Sequence, residues 1–216
     1  MTKEFKEKIN DASNRVKNHL AENKARITNE TMTVTILIEP VIQTLGYDTT
    51  DPTQFVKEYS PDKRGTNRGR VDCTLLGDNE EPIMVIECKH WDKELIKHER
   101  QLFEYHGSSN ARLGVLTNGI LYRFYADLDR PNIMDEKPFF EFDITKPDDE
   151  QIEVLKKFSK SNFNIDVIIE TAQEMKSISD IKGGHRRLDG ESARMVCKRN
   201  CQGGSSRKID FHKSCI

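Results

Sequence analysis

Asp72, Glu87 and Lys89 are the residues with the most chemistry to offer in this chain. The apolar run Ile83-Met84-Val85-Ile86 leads directly into Glu87-Cys88-Lys89, and Gln101 and Tyr105 follow. Two acids and a lysine at the end of a buried hairpin are costly, because charges resist burial unless paired or metal-bound. Two carboxylates, a backbone carbonyl such as that of Cys88, and water can hold a hard divalent cation such as Mg²⁺ or Mn²⁺. A cation there would polarise a phosphoryl oxygen and acidify water, and a lysine could orient that water or offset charge on the phosphate. Metal-dependent phosphodiester cleavage therefore accounts for the cost.

Period-two alternation positions the three groups. Asp72, Thr74 and Leu76 share one face of a strand, with Val71, Cys73 and Leu75 on the other. In the partner strand Glu87 and Lys89 face one way, and Ile86 and Cys88 the other. The turn Gly77-Asp78-Asn79-Glu80-Glu81-Pro82 joins a strand over 70–76 to one over 83–90, a hairpin signature. A helix over about 92–106 would put Gln101 and Tyr105 on one face, four residues apart.

Around this hairpin the chain reads as alternating helices and strands. Phe5, Ile9, Ala12, Val16 and Leu20 form a thin stripe on a helix over 3–26. Asn29 is the natural N-cap of a second helix that ends at Gly46 and contains Pro40, a residue that kinks helices. Residues 55–76 read as two strands flanking a basic loop with Arg64, Arg68 and Arg70, which could contact phosphate. Further strands are expected over 112–117, 120–126 and 139–144, with Asn118-Gly119 as a hairpin turn. Two helices, over 148–159 and 164–177, close the core. The expected organisation is an N-terminal helix (1–28), a main domain (29–182) and a basic, poorly packed tail (183–216).

Composition narrows the function classes. Hydrophobic residues make up 35% and charged residues 32% of the 216, so the chain reads as a polar protein with room for one sizeable core. No apolar run approaches the roughly 18–20 residues that span a bilayer, and the N-terminus has no apolar leader core. Five cysteines at irregular positions do not suggest a disulfide framework, so a cytoplasmic setting is expected. Residues 183–216 hold eight Lys/Arg against three Asp/Glu, a net of +5, which leaves −7 on the first 182. An acidic core argues against tight non-specific DNA binding, which depends on neutralising phosphates.

Asp72 followed by Glu87-Cys88-Lys89 resembles the PD-(D/E)XK nuclease motif, with Val71 where the motif has proline. Gln101-Leu-Phe-Glu-Tyr105 is similar to the QxxxY motif of one branch of that superfamily. Asn29-Glu30, Leu45-Gly46-Tyr47-Asp48, the run Leu116 to Tyr125 and Pro138 to Phe142 resemble the N-terminal nuclease domain of type I restriction enzyme R subunits, as a stand-alone or prophage-type protein. The resemblance covers roughly residues 27–182. It implies an α/β, restriction-endonuclease-like fold, a central mixed sheet flanked by helices. It also implies Asp72, Glu87 and Glu30 as metal ligands, Lys89 as the catalytic lysine, Gln101 and Tyr105 as nucleic-acid-binding or site-bracing residues, and DNA as partner.

The chain carries no G-x-x-x-x-G-K-[ST] and hence no P-loop motor, so motor or specificity subunits would be further partners. Two other readings stand beside the nuclease: a DNA-binding or regulatory module of a restriction or phage system that keeps the fold without independent cleavage, and a pure interaction protein. Glu39 competes with Glu30 on the same helix. His90, His98 and His106 read as surface residues, since hard-metal sites favour oxygen. Cys197, Cys201, His212 and Cys215 in the tail do not match a defensible zinc-finger spacing.

Overall fold

The structure, a computed structural model, describes residues 3–60, 70–106 and 111–181. Its centre is a six-stranded sheet of β1 (Phe55–Tyr59), β2 (Val71–Leu76), β3 (Pro82–Cys88), β4 (Leu113–Thr117), β5 (Leu121–Ala126) and β6 (Phe140–Asp143), in spatial order β1-β2-β3-β4-β5-β6. Neighbours are antiparallel except β3 and β4, which are parallel. A parallel step needs a crossover, and α4 (Glu99–His106) lies on it. The fold is mixed α/β with helices flanking a mixed sheet, consistent with the restriction-endonuclease-like class.

Alternation along the strands builds two cores. Cys73, Leu75, Met84, Ile86, Cys88, Val115, Phe124 and Phe142 face the larger one. There they meet Phe5, Ile9, Ala12 and Val16 of α1 (Lys3–Glu22), so the thin stripe of that helix is fully used. Leu37, Ile38 and Val41 join from the second helical region, with Ile152 and Leu155 of α5 (Asp149–Lys156), and Ile168, Ile169 and Ala172 of α6 (165–175). Val85, Leu116 and Tyr125 face a smaller core completed by Leu95, Leu102, Ala111 and Met134. Val71 also packs there, so the strict alternation expected from Val71 to Leu76 fails at its first residue. The chain divides into a unit from Met1 to Met175, which holds all of this, and a second from Lys176, of which residues 176–181 are helical.

The kink expected at Pro40 takes a specific form. α2 (Glu30–Thr33) passes into a π-helical turn (Val34–Ile38) and then α3 (Glu39–Thr44), with Pro40 at the start of α3. Proline has no N–H and its ring crowds the carbonyl four residues back. The wider turn, closed by the Glu39 N–H on the Val34 carbonyl, absorbs both. Gly46 ends the region at φ +93°, a conformation glycine adopts without strain.

The helix expected over 92–106 begins later. Residues 95–97 form a 3₁₀ turn, and α4 starts at Glu99. The carbonyls of Trp91 and Lys93, which a helix would use for its own ladder, instead accept from Asn118 Nδ2 at 3.2 and 3.0 Å. Leu95 is drawn into the smaller core. Tertiary partners outcompete local helix formation here.

Among the described residues no helix is long and apolar enough to cross a membrane.

Candidate active site

The β2–β3 ladder pairs Cys73 with Ile86, which sets Asp72 opposite Glu87 one step on. Beyond that point the backbone pairing is replaced. The Cys88 N–H donates to Asp72 Oδ2 at 2.7 Å, so the carboxylate takes the place of a ladder carbonyl. Lys89 leaves the sheet with its N–H on the Thr117 carbonyl, 2.8 Å away. The end of β3 is therefore fixed on both sides, by β2's side chain and by β4's backbone.

Within this frame Lys89 Nζ contacts Glu87 Oε1 at 2.5 Å and Glu30 Oε2 at 3.9 Å. Glu87 is fully buried, at 0% exposure, and Lys89 nearly so. Asp72 and Glu30 are half-buried. Glu87 Oε2 is buried and has no hydrogen-bond partner among the described residues. Burial, and then the charge of Asp72, push the Glu87 carboxyl up to about 7, against the pull of Lys89. Asp72 is raised as well, by burial, against the Cys88 N–H and Lys89. For Lys89 burial lowers the pKa, but the bond and charge of Glu87 outweigh it, and the ammonium is held above its ordinary value. Three carboxylates against one ammonium leave a formal excess of two negative charges.

That arrangement fits a divalent cation. Mg²⁺ is ordinarily held by one or two carboxylates, with other oxygens and water completing the shell, rather than by an all-protein cage. Among the described residues no three His, Cys, Asp or Glu side chains form such a cage. What the chain offers is a pair of adjacent acids, one with a buried free oxygen, and the Cys88 carbonyl between Glu87 and Lys89.

The other expected residues divide. Glu39 forms an ion pair with Lys57 at 2.6 Å, whereas Glu30 approaches Lys89, so the two acids of this helical region do different work. Gln101 is half-buried on α4, its backbone N–H on the His98 carbonyl. Tyr105 lies one turn on in α4, and its side chain is outside the described residues. Arg70 is exposed and paired with Glu58 at 2.9 Å. Arg64, Arg68 and the tail residues Cys197, Cys201, His212 and Cys215 lie outside the described residues.

His90 is not a plain surface residue. Its Nδ1 lies 2.6 Å from Asp92 Oδ1 and its Nε2 2.9 Å from the Ile27 carbonyl. Asn118 likewise exceeds its expected role as a turn residue. Its Oδ1 accepts from the N–H groups of Ile120 and Leu121, while its Nδ2 ties the turn to the segment after Lys89. Gly119, at φ +80°, completes the turn, and a Cβ there would lie 2.7 Å from Leu37 Cβ. The sequence signal for these roles was adjacency: His90 and the chain's single Trp follow Lys89 directly.

Residues 27–133 match the family described as type I restriction enzyme R protein N terminus. That match supports the family for the span it covers. The matched span contains Glu30, Asp72, Glu87, Lys89, Gln101 and Tyr105, and ends before β6, short of the 27–182 covered by the motif resemblance. Among curated proteins and among solved structures nothing matches. The match supports a restriction-enzyme-related nuclease domain and is consistent with the wider PD-(D/E)XK superfamily, as is the mixed sheet flanked by helices.

Proposed function

We propose that this domain hydrolyses phosphodiester bonds of DNA with Mg²⁺ or Mn²⁺ as cofactor. The observation that carries the reading is Glu87, a fully buried carboxylate whose Oε2 has no described partner and which abuts a second acid. A structural acid would be satisfied on both oxygens. Asp72, Glu87 and the Cys88 carbonyl would hold the cation, and Glu30 would add a further oxygen at the rim. When bound, the cation supplies Lewis acidity toward a phosphoryl oxygen and toward water. Asp72 binds the Cys88 N–H and so keeps the Cys88 carbonyl and the Glu87 backbone in fixed register. Lys89, protonated and clamped by Glu87, presents a positive charge that can offset charge developing on the phosphate. Gln101 and Tyr105 would brace the site or the nucleic-acid backbone from α4. Arg64, Arg68 and Arg70 would contact phosphate.

A second reading keeps the fold and DNA binding without independent cleavage, with motor or specificity subunits needed for activity. The −7 charge on the first 182 residues favours it, because such a core attracts DNA weakly by itself. Incubation of the full chain with supercoiled plasmid and single-stranded DNA, with Mg²⁺ or Mn²⁺, separates the two. Nicking that Glu87→Ala and Lys89→Ala abolish supports the nuclease. Binding without nicking leaves the regulatory module, and equal nicking by all three proteins marks a contaminant.

A further inference from the structure

The segment just after Lys89 is bolted to the start of α2 by an unusual concentration of polar contacts. Two ring nitrogens converge on one carbonyl: His90 Nε2 at 2.9 Å and Trp91 Nε1 at 3.1 Å from Ile27 O. The Trp91 N–H also donates to Thr33 Oγ1 at 3.3 Å, and that hydroxyl donates to the Asn29 carbonyl at 3.1 Å. Asn29 Oδ1 in turn caps the Met32 N–H at 2.8 Å. On the far side Asp92 holds His90 Nδ1, and Asn118 Nδ2 holds the Trp91 and Lys93 carbonyls. Carbonyl and carboxylate only accept, so both His90 nitrogens act as donors.

These contacts matter because of what lies between their ends. Ile27 is buried, but Thr28 and Asn29 are exposed, and Glu30 is the first residue of a helix with only four α-helical residues before the π turn. Glu30 therefore stands on a surface connection, and its half-exposed carboxylate has little packing of its own to aim it. A ligand displaced by an ångström loses much of its value at a reacting centre.

We propose that His90 and Trp91 are positioning residues, whose ring N–H groups fix the Ile27 carbonyl so that Glu30 stays opposite Lys89 at the rim of the cation site. The proposal rests on the metal-dependent reading of the same site. It assigns a role to two residues that touch neither cation nor substrate, and it explains why the strand that carries Lys89 is continued by a histidine and a tryptophan.

Mn²⁺ binding to the full chain, followed by calorimetry and by the electron paramagnetic resonance of free Mn²⁺, tests it without DNA or turnover. Trp91→Phe keeps the ring and removes the N–H. It weakens Mn²⁺ binding by about tenfold, the usual scale for a group behind a ligand. Glu30→Gln weakens it similarly, and in the Glu30→Gln background Trp91→Phe adds nothing further. His90→Gln, which keeps a donor near the Nε2 position, retains binding, whereas His90→Asn does not. Independent, multiplying effects of Trp91→Phe and Glu30→Gln would overturn the positioning role, as would unchanged binding by Trp91→Phe. If the intact chain binds no Mn²⁺, or Glu87→Ala binds as tightly as the intact chain, the metal-dependent reading fails and this inference falls with it. The first pair of outcomes leaves that reading standing, so the two failures are distinct.

Discussion

Glu87 and Asp127 are two buried carboxylates at opposite ends of one sheet, the first near the end of β3 and the second just past β5, and they are treated in opposite ways. Asp127 is 4% exposed and has both oxygens engaged: Oδ1 accepts from Arg112 Nε at 2.9 Å and Oδ2 from the Asn132 N–H at 3.0 Å. The second bond stabilises Asn132 at φ +61°, a conformation that Asn tolerates better than most residues. Asp127 thus pins the loop after β5 and is complete. Glu87 is more deeply buried, shares Lys89 with Glu30, faces the Asp72 carboxylate and has no donor on Oε2. On the proposed reading it is the unfinished pairing of Glu87, and not its burial, that sets it apart from Asp127. A fold tolerates an unfinished buried charge where a ligand finishes it.

The largest expected difference between the two acids is in chemistry. Glu87→Gln lowers Mg²⁺-dependent nicking by at least about a thousandfold. It also removes stabilisation by Mg²⁺ or Mn²⁺, read as a rise in Tm on adding metal. Asp127→Asn leaves both properties in the folded protein. Nicking assays scaled to the folded fraction check this, and metal-dependent loss of nicking in Asp127→Asn would break the comparison.

The opposite pattern is expected in stability. Asp127→Ala strands the Asn132 N–H and deprives Arg112 of its partner, at a cost of about 3 kcal/mol. Urea denaturation of the metal-free protein measures it. A cost below about 1 kcal/mol would mean that water replaces both bonds, and Asp127 would no longer stand as the structural member of the pair.

Much of this contrast was open to inspection in the sequence. Glu87 and Lys89 follow an apolar strand, so their burial is legible from alternation, and Asp72 falls opposite because the turn from Gly77 to Pro82 sets the register. Asn29 as an N-cap and Gly46 as a helix end follow from local chemistry and hold in the structure. The exact start of α4 was not legible, because it depends on Asn118, distant in sequence, capturing the Trp91 and Lys93 carbonyls. The form of the bend before Pro40 depends on packing as much as on the proline. In sequence Asp127 is one acid among the polar residues that follow the strand over 120–126. Nothing local announces that Arg112, fifteen residues earlier, will reach it. Charges that interrupt an apolar pattern are legible in a sequence; charges whose partners arrive through the fold are not.

The unfinished state of Glu87 also gives a pH signature. Its carboxyl titrates at about 7 in the folded chain, against an ordinary value of 4.5, so the folded state keeps this proton longer than the unfolded state. The associated stability is complete below about pH 4.5 and is lost as pH rises through 7, by at most about 3 kcal/mol. Glu87→Gln cannot ionise. With metal chelated, the variant should therefore be more stable than the intact chain at pH 8, with the gap nearly closed at pH 5. Its amide can still accept from Lys89 while donating toward Asp72. Chemical denaturation at the two pH values measures the gap. A gap of the same size at both would show that the buried carboxyl is neutralised by other means.

Glu99 offers a smaller and sharper version of the comparison. It opens α4 and accepts from Arg123 at 3.1 Å and from the Tyr125 hydroxyl at 2.9 Å, and Arg123 also pairs with Glu141 at 2.7 Å. Glu99 resembles Asp127 in having two donors, though both meet its Oε1, and its side chain and that of Arg123 are about one-fifth exposed, at 21% and 18%. Partial solvation weakens such pairs. Glu99→Gln keeps an acceptor for Tyr125 and loses only the charge, so a loss of about 1 kcal/mol is expected, with metal binding unchanged. If pairing, rather than helix contact, separates structural from functional acids, the variant nicks plasmid at the rate of the intact chain even though α4 also carries Gln101 and Tyr105. A nicking defect larger than the stability loss explains would place Glu99 on the functional side. The division would then follow position along α4 and not completeness of pairing.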